Sequence, residues 1–384
     1  MIRSLLLRQY KEFMFCTSRY VRQTFNETLC TQLTDFNTRS CNVNSVSRFT
    51  FNNEILVSEQ LTGFRTVLWI SLSVTESSSF LLVRNLQTER TSCYSCPQLA
   101  DIVEKEVCKI LSANPNLAAG FQRLHFHDCW VNGCDGSVLI KTTPENTAEV
   151  DAFVNFMLRA IPEIDQIKAA VEAQCPNTVS CADIVALAAR DATVFAHGPS
   201  WPVDLGRRDS RRSVATDADT QLPFPNFLFS ELVSNFAAKG FGAREMIVLS
   251  GSHTFGRTHC NGIGPNLYNY TGIEDLTNPN LDPAFAASLK SQCPKGNRDN
   301  VVLMDSTPNF FDTQYYQKVL ANQGDMISDD ELIRGPDGAS VLQYLTQPGS
   351  SWFAEFAAGM AKMSKLSPLL APDGEIRKSC QFVN

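Results

Sequence analysis

The chain has 384 residues, a net charge of −7 and a hydrophobic content of 43%. This length and apolar content allow a large buried core, and the acidic balance gives no indication of a nucleic acid or an anionic membrane as partner. The 13 cysteines are many for a reduced cytosolic protein, so we expect an oxidising compartment.

Residues 1–85 differ from the rest of the chain. They carry nine Lys and Arg against six Asp and Glu, whereas the remainder is acidic. Their two apolar patches, at 67–70 and 80–83, are too short to span a bilayer, which needs ~20 apolar residues. We expect residues 1–85 to be an atypical leader, either disordered or the result of a wrongly joined gene prediction. As a hypothesis, it contains a degenerate signal peptide around 66–83.

From residue 86 onward the pattern is helical. Apolar residues recur at helical spacing, Pro and Gly separate the periodic segments, and no long alternating runs typical of strands occur. The sequence therefore predicts one mainly α domain at 86–384. The predicted helices cover 102–110, 117–129, 161–173, 181–196, 243–249, 311–321, 339–345 and 352–365.

Two motifs centre on histidines, of which the chain has only five. Arg123 and His127 lie four residues apart in Arg123-Leu-His-Phe-His127, so a helix would place both on one face. His253 lies far downstream in Ser250-Gly-Ser-His253-Thr-Phe-Gly. An imidazole beside a fixed positive charge suits acid–base chemistry on a small oxygen substrate. The two motifs indicate two faces of one cofactor, although a lone helical His is more often structural.

An acidic turn directly follows the first motif. Asp128, Asp135 and Ser137 surround the Gly-containing stretch Val131-Asn-Gly-Cys. Calcium takes 6–8 oxygen ligands, including backbone carbonyls, and this turn offers both kinds. The alternative is an ordinary turn whose acids are solvated.

These motifs together resemble the plant secretory (class III) haem peroxidases over roughly residues 96–384. The resemblance implies a mainly α fold in which two helical lobes, distal and proximal, enclose one haem with little or no β-sheet. It also implies a secreted, monomeric enzyme. Hydrogen peroxide would oxidise haem b to an oxo-iron species plus a radical, and two small phenols would each return one electron. Cell-wall cross-linking, lignin-type polymerisation and peroxide removal under oxidative stress would be its roles.

The resemblance also assigns catalytic roles. His127 would be the distal acid–base residue, Arg123 would stabilise the transition state, and Asn155 would orient His127. His253 would be the axial ligand of the haem iron, with its second nitrogen bonded to Asp329 in Ser328-Asp329-Asp-Glu-Leu. On sequence alone this Ser-Asp pair would be interpreted as a helix N-cap.

The family binds two calcium ions, and an entrance proline receives the aromatic donor. Pro223 matches that proline, and the second calcium motif is one residue shorter here than usual. The first site would comprise Asp128, Val131, Gly133, Asp135, Ser137 and Glu149. The second would comprise Thr254, Asp305, Thr307 and Asp312.

Eight cysteines match the family pattern, and the resemblance implies how they pair. The implied disulfides are Cys96–Cys175, Cys129–Cys134, Cys181–Cys380 and Cys260–Cys293. Five cysteines remain, an odd number that leaves at least one free thiol or an intermolecular partner: Cys16, Cys30, Cys41, Cys93 and Cys108. Asn269-Tyr-Thr is a glycosylation sequon, as is Asn26-Glu-Thr in the leader. The end of the chain shortly after Cys380 favours the extracellular space over the vacuole.

Some positions depart from the family pattern. Asn116 replaces an Arg that anchors a haem propionate, and Met157 and Leu158 replace small polar residues near the haem edge. These changes motivate an alternative, a haem-free peroxidase-fold protein with a binding or structural role in the wall. A second alternative is a disulfide-rich calcium module without catalysis, which would leave both His motifs unexplained.

Overall fold

A computed structural model describes residues 50–51, 54–55 and 95–384 of the chain. The chain divides into two units, Met1–Leu86 and Gln87–Asn384. In the first unit, strand β1 (Thr50–Phe51) pairs antiparallel with β2 (Glu54–Ile55). The predicted boundary at residue 85 and the signal peptide at 66–83 lie outside the described residues. So do Asn26 and the cysteines Cys16, Cys30, Cys41 and Cys93.

Residues 95–384 are mainly helical, with thirteen α-helices. The helices are α1 (Leu99–Ala113), α2 (Ala118–Trp130), α3 (Ile161–Glu172), α4 (Cys181–Phe195), α5 (Ala215–Gln221), α6 (Phe229–Ala238), α7 (Ala243–Ser250), α8 (Cys260–Tyr268), α9 (Pro283–Gln292), α10 (Gln314–Leu320), α11 (Ile327–Asp330), α12 (Gly338–Leu345) and α13 (Trp352–Met363). Strands β3 (Arg257–His259) and β4 (Val301–Leu303) form an antiparallel pair in which Thr258 faces Val302. The prediction of a mainly α fold with little β-sheet is confirmed.

Each predicted helix has a counterpart in the structure, but α5, α6, α8, α9 and α11 were not predicted. They are short, and α8 contains Pro265 in its interior, which obscures the periodic signal. The helix predicted at 311–321 begins only at Gln314. Phe311 is buried ahead of it, and the Asp312 side chain accepts a hydrogen bond from the Gln314 N–H at 2.8 Å, which satisfies a free donor at the start of the helix.

Helix α4 is the centre of the core, since nearly every residue on it is buried. A helix that is buried on all sides must be surrounded by others, and α1, α2 and α3 pack against it. Its many alanines allow close approach of these neighbours. At its start, the Ser180 hydroxyl accepts a hydrogen bond from the Asp183 N–H at 3.1 Å, which satisfies a free helix donor. This packing holds α2, which carries Arg123 and His127, in a fixed orientation.

The segment that carries His253 is a short 3₁₀ turn, Gly251–Thr254, that continues from α7. The buried Tyr316 hydroxyl lies 3.1 Å from the carbonyl oxygen of Ile247 and 3.0 Å from that of Val248. Donation to these carbonyls satisfies acceptors that the end of a helix leaves open. Helix α13 packs along α7 and adds Trp352 beside Tyr316. Buried aromatic residues therefore pack against the turn and hold it in place.

Four disulfides connect the helices, in the pairs that the resemblance implies. They are Cys96–Cys175, Cys129–Cys134, Cys181–Cys380 and Cys260–Cys293. Cys108 also takes part in a disulfide. None of the helices in residues 95–384 has the length and apolar composition that crossing a bilayer requires.

Replacing Gly251 with alanine should destabilise the turn. A Cβ there would lie 2.3 Å from the Tyr316 hydroxyl and 2.8 Å from the Trp352 ring. We expect Gly251→Ala to lower the free energy of unfolding by about 1–3 kcal/mol, as overpacking does. Gly264 in α8 is the matched control, because no atom lies within 4 Å of its added Cβ. Gly264→Ala should stabilise by about 0.5–1 kcal/mol. Denaturant unfolding checks both, and equal stability of the two variants would contradict the packing argument.

Candidate active site

The two predicted His motifs meet at one cavity of about 600 Å³. Helix α2 contributes Arg123 and His127 to its lining, the 3₁₀ turn contributes His253, and α11 contributes Asp329. Most of the remaining lining is apolar or aromatic, including Phe126, Phe236 and Met363. An apolar cavity of this size with a few converging polar groups is typical of a cofactor site.

On the α2 side, His127 is held in one tautomer. Its Nδ1 lies 2.5 Å from the Asn155 Oδ1, and the Asn155 amide nitrogen donates to the Glu149 carbonyl oxygen at 2.6 Å. The amide oxygen of Asn155 therefore faces His127 and can only accept, so Nδ1 carries the proton. The other ring nitrogen, Nε2, accepts a hydrogen bond from Arg123 Nε at 3.1 Å.

Electrostatics keep this imidazole neutral. Burial and the charge of Arg123 hold the pKa of His127 well below its ordinary value, although the hydrogen bond to Asn155 raises it. Desolvation by the surrounding protein also lowers the pKa of Arg123 to about 10, although its side chain is exposed to the open cavity. Its guanidinium therefore stays charged at neutral pH. A neutral proton acceptor beside a permanent cation can take a proton from a substrate and stabilise the resulting anion.

In the second histidine motif, His253 Nδ1 lies 2.7 Å from Asp329 Oδ1. The same carboxylate accepts hydrogen bonds from the Tyr315 hydroxyl and from the Met326 N–H. Burial raises the pKa of Asp329, but its interaction with His253 and the other two hydrogen bonds bring the pKa below its ordinary value. With Nδ1 engaged, Nε2 is the nitrogen that His253 can offer to a metal. This donor set and the apolar cavity fit haem.

The acids of the predicted first calcium site form a buried cluster. The Ser137 hydroxyl donates to Glu149 at 3.1 Å, and the Ser137 N–H donates to Asp135 at 3.0 Å. Both carboxylate oxygens of Asp128 are buried without a hydrogen-bond partner. Burial and the neighbouring Asp135 raise the pKa of Asp128 well above its usual range. Burial and Asp128 raise the pKa of Glu149 to about 9.

Such a cluster fits a cation, because unpaired buried carboxylates are costly without one. Val131 and Gly133 lie in the turn between Asp128 and Asp135, where backbone carbonyls are the oxygens on offer. Across residues 95–384, no three His, Cys, Asp or Glu side chains have an arrangement that would hold a metal by themselves. Hydroxyl and carbonyl oxygens would therefore have to complete the coordination, as calcium accepts.

The four residues of the predicted second calcium site also lie together. The Thr254 hydroxyl is 2.8 Å from Asp305 Oδ2 and 3.3 Å from Asp312 Oδ1. Both the N–H and the hydroxyl of Thr307 donate to Asp305, at 2.7 and 3.1 Å. Burial raises the pKa of Asp305. Because Thr254 follows His253 directly, this oxygen cluster adjoins the proximal side of the cavity.

The shorter spacing of the second calcium motif does not separate its oxygens. One residue fewer between Asp305 and Thr307 would move a rigid element out of place. This segment is a loop, however, and the two hydrogen bonds from Thr307 hold it against Asp305. Loops absorb length changes that helices cannot, so the oxygen atoms converge even though the spacing differs from the family pattern.

Pro223 lines the cavity, together with Phe153, Met157 and Phe224.

Two residues with evident roles were not predicted from the sequence. Arg257 lines the cavity and donates a hydrogen bond to Asn116, the position where the family pattern has an Arg. Tyr315 reaches Asp329 from α10. Arg257 could have been found as the cation nearest His253 in sequence, whereas no local signal marks Tyr315.

Comparisons with known proteins agree with this geometry. The Peroxidase family model matches residues 103–347. The chain is 43% identical to Peroxidase 1 of Oryza sativa subsp. japonica over 297 residues, which cover 76% of this chain and 90% of that protein. It is 43% identical to Peroxidase 5 of Vitis vinifera over 330 residues, covering 83% and 99%. It is 44% identical to Peroxidase 3 of Arabidopsis thaliana over 295 residues, covering 76% and 90%.

The chain belongs to the plant class III peroxidase family. It is therefore an oxidoreductase that acts on hydrogen peroxide, and haem is the cofactor of its family. The predicted family, fold class and enzyme activity are confirmed.

Changing the acceptor at Asn155 should change the basicity of His127. Asn155→Asp places a carboxylate on Nδ1–H and should raise the pKa of His127, so that the loss of peroxide reactivity on acidification begins at higher pH. Asn155→Ala should lower the rate constant with peroxide about 10- to 100-fold, as loss of a hydrogen bond to a key imidazole does. Stopped-flow measurements as a function of pH check both.

The matched control for this test is Asn235→Ala. The Asn235 side chain accepts a hydrogen bond from the Trp130 indole at 2.8 Å and has no bond to His127. Its removal should leave the pH dependence unchanged. An unaltered acid limb in Asn155→Asp would contradict the assigned contact.

Proposed function

We propose that this protein is a secreted haem peroxidase that oxidises small phenols by one electron at a time at the expense of hydrogen peroxide. The observation that carries the proposal is that His127 and His253, from two separate elements, line one cavity. Each has a different partner: His127 bonds a neutral amide, whereas His253 bonds a carboxylate. A neutral base and an electron-rich metal ligand are the two histidine types that a peroxidase requires.

In this proposal His253 Nε2 would ligate the iron of haem b. Its Nδ1–H donates to Asp329, which gives the imidazole anionic character and favours the higher oxidation states of iron. Bound haem would supply the metal at which peroxide is reduced and the edge at which donors are oxidised.

The protein's own residues would handle the protons. His127 Nε2 would take the proton from one peroxide oxygen and return it to the oxygen that departs as water. Arg123 would stabilise the negative charge on that oxygen as the O–O bond breaks. Asn155 would keep Nε2 unprotonated by holding the proton on Nδ1. Arg123 is itself oriented by a hydrogen bond to the Val154 carbonyl oxygen at 3.1 Å.

We place the donor near Pro223. This residue and Phe153, Phe224 and Met157 form one stretch of the cavity lining. Aromatic side chains favour flat aromatic ligands, and the Pro223 carbonyl could accept the phenol hydroxyl. Coupling of the released radicals outside the enzyme would serve wall cross-linking or lignin-type polymerisation, with peroxide removal as a second outcome.

Two calcium ions would brace the two motifs. The unpartnered Asp128 supports the first ion, and the Thr254–Asp305–Asp312 contacts support the second. The first cluster is linked to the distal base, because Glu149 contributes its side chain to the cluster and its backbone carbonyl accepts from Asn155. The metal would therefore stabilise the position of His127.

We further propose that the protein is secreted and acts as a monomer. Four disulfides suit an oxidising compartment. The predicted sequon asparagine, Asn269, is exposed and is therefore accessible to a glycan. The match to the Vitis vinifera protein covers 83% of this chain, more than residues 95–384 supply. The aligned region therefore reaches into residues 1–85.

The visible spectrum of the full-length chain, loaded with haem and calcium, tests the function. We expect a Soret band that falls and shifts with one equivalent of peroxide and recovers when a phenol is added. His127→Ala should keep the resting band and react with peroxide slower by a factor on the order of 10² to 10⁴, the contribution of a general base.

A chain that takes up no haem would instead support the haem-free binding or structural protein. Undiminished peroxide reactivity of His127→Ala would exclude His127 as the base.

Asp128→Asn should weaken the stabilisation by calcium. Calcium at a hundred times its dissociation constant would stabilise the wild type by about 2.7 kcal/mol per site. In Asp128→Asn this calcium-dependent rise in melting temperature should shrink, while the second site remains. In chelator, the variant should be at least as stable as the wild type, because a buried unpaired charge is removed.

Exposed Asp101 on α1 supplies the control, since Asp101→Asn should retain the full calcium response. The same rise in Asp128→Asn as in the wild type would argue against the first site.

A further inference from the structure

The Asp329 carboxylate accepts three hydrogen bonds, and two of them end on one oxygen. His253 Nδ1 lies 2.7 Å from Oδ1, and the Tyr315 hydroxyl donates to the same Oδ1 at 2.9 Å. The Met326 N–H donates to Oδ2 at 3.0 Å. The proximal histidine therefore shares its acceptor atom with a tyrosine.

The surroundings of Tyr315 favour the hydrogen bond from its hydroxyl to Asp329. The residue is 2% exposed, and its ring stands at 81° to that of His253 with centroids 5.7 Å apart. A buried hydroxyl needs an acceptor, and Asp329 provides it.

We propose that Tyr315 is a positioning residue that limits how much negative charge Asp329 passes to His253, and that it thereby sets the reduction potential of the bound haem iron. The inference rests on the proposed role of His253 as axial ligand.

The physical reason is competition at one oxygen. A carboxylate oxygen that accepts from two donors is a weaker base toward each, because each hydrogen bond draws off part of its charge. A weaker base pulls less on the Nδ1 proton of His253, so the imidazole is less anionic. A less anionic axial ligand stabilises ferric iron less, which raises the ferric/ferrous potential. Tyr315 would thus counteract the carboxylate that it contacts.

The adjacent residue on α10 provides a matched control. Tyr316 is also buried, and its hydroxyl bonds the carbonyl oxygens of Ile247 and Val248. It has no bond to Asp329. Phenylalanine at either position removes one buried hydroxyl from the same helix, but only the change at Tyr315 should alter the charge on His253.

The test compares haem-loaded full-length wild type, Tyr315→Phe and Tyr316→Phe. Spectroelectrochemical titration gives the ferric/ferrous potential, and resonance Raman spectroscopy of the ferrous form gives the iron–histidine stretching frequency. In Tyr315→Phe we expect the reduction equilibrium to shift about tenfold toward ferric iron, which is about 59 mV for one electron. The stretching frequency should rise. Tyr316→Phe should match the wild type in both.

Three results would overturn the inference: no shift in Tyr315→Phe, a shift toward higher potential, or equal shifts in both variants. A double-mutant cycle adds a second requirement, because Tyr315→Phe should have no further effect once Asp329→Asn has removed the shared carboxylate.

If Tyr315→Phe fails to fold with haem, a chain with 3-fluorotyrosine in place of Tyr315 alone is used instead. Its more acidic hydroxyl donates more strongly and should raise the potential, and no change would overturn the inference. A wild type that takes up no haem would instead refute the proposed function, so the two failures are distinguishable.

Discussion

The orientation of helix α2 determines the arrangement of the whole site, because three consecutive residues on this helix face different surroundings. His127 faces the cavity, Asp128 faces a buried acidic cluster, and Cys129 is tied to Cys134 by a disulfide. Each step along a helix turns the side chain by about 100°. A shift of one residue would therefore put either a carboxylate into the cavity or a histidine among the acids, depending on its direction. The packing of α2 against the almost entirely buried α4 is what prevents such a shift.

The proximal side obeys a different constraint. His253 sits in a four-residue 3₁₀ turn, and so short a turn cannot hold its geometry through its own hydrogen bonds. Side chains from other helices hold the turn and the imidazole in place. Tyr316 caps α7 immediately before the turn, Asp329 fixes the imidazole, and Tyr315 fixes Asp329. Both tyrosines come from α10, but they act on different groups. Tyr316 holds the end of α7, whereas the imidazole of His253 is held by Asp329 on α11 and, through Asp329, by Tyr315.

These two constraints explain what the sequence could predict. The i, i+4 pair Arg123–His127 is a local pattern on a strongly buried helix, and periodicity alone places both on one face. The sequence motif identified His253 as a candidate. Asp329 lies 76 positions from His253 and could be assigned only by resemblance to the family. The contact of Tyr315 with Asp329 has no local signature at all. Contacts made through tertiary packing between short helices escape periodic analysis, as the contact of Tyr315 on α10 with Asp329 on α11 does.

The substitution at Asn116 bears directly on the haem-free alternative. Loss of a propionate-anchoring arginine would weaken haem binding if it left the cavity edge without a cation. Arg257 lines the cavity and is hydrogen-bonded to Asn116. The asparagine thus orients a guanidinium that comes from strand β3, four residues beyond His253. A positive charge remains at the cavity in a different place on the chain, so the substitution by itself does not favour a protein without haem.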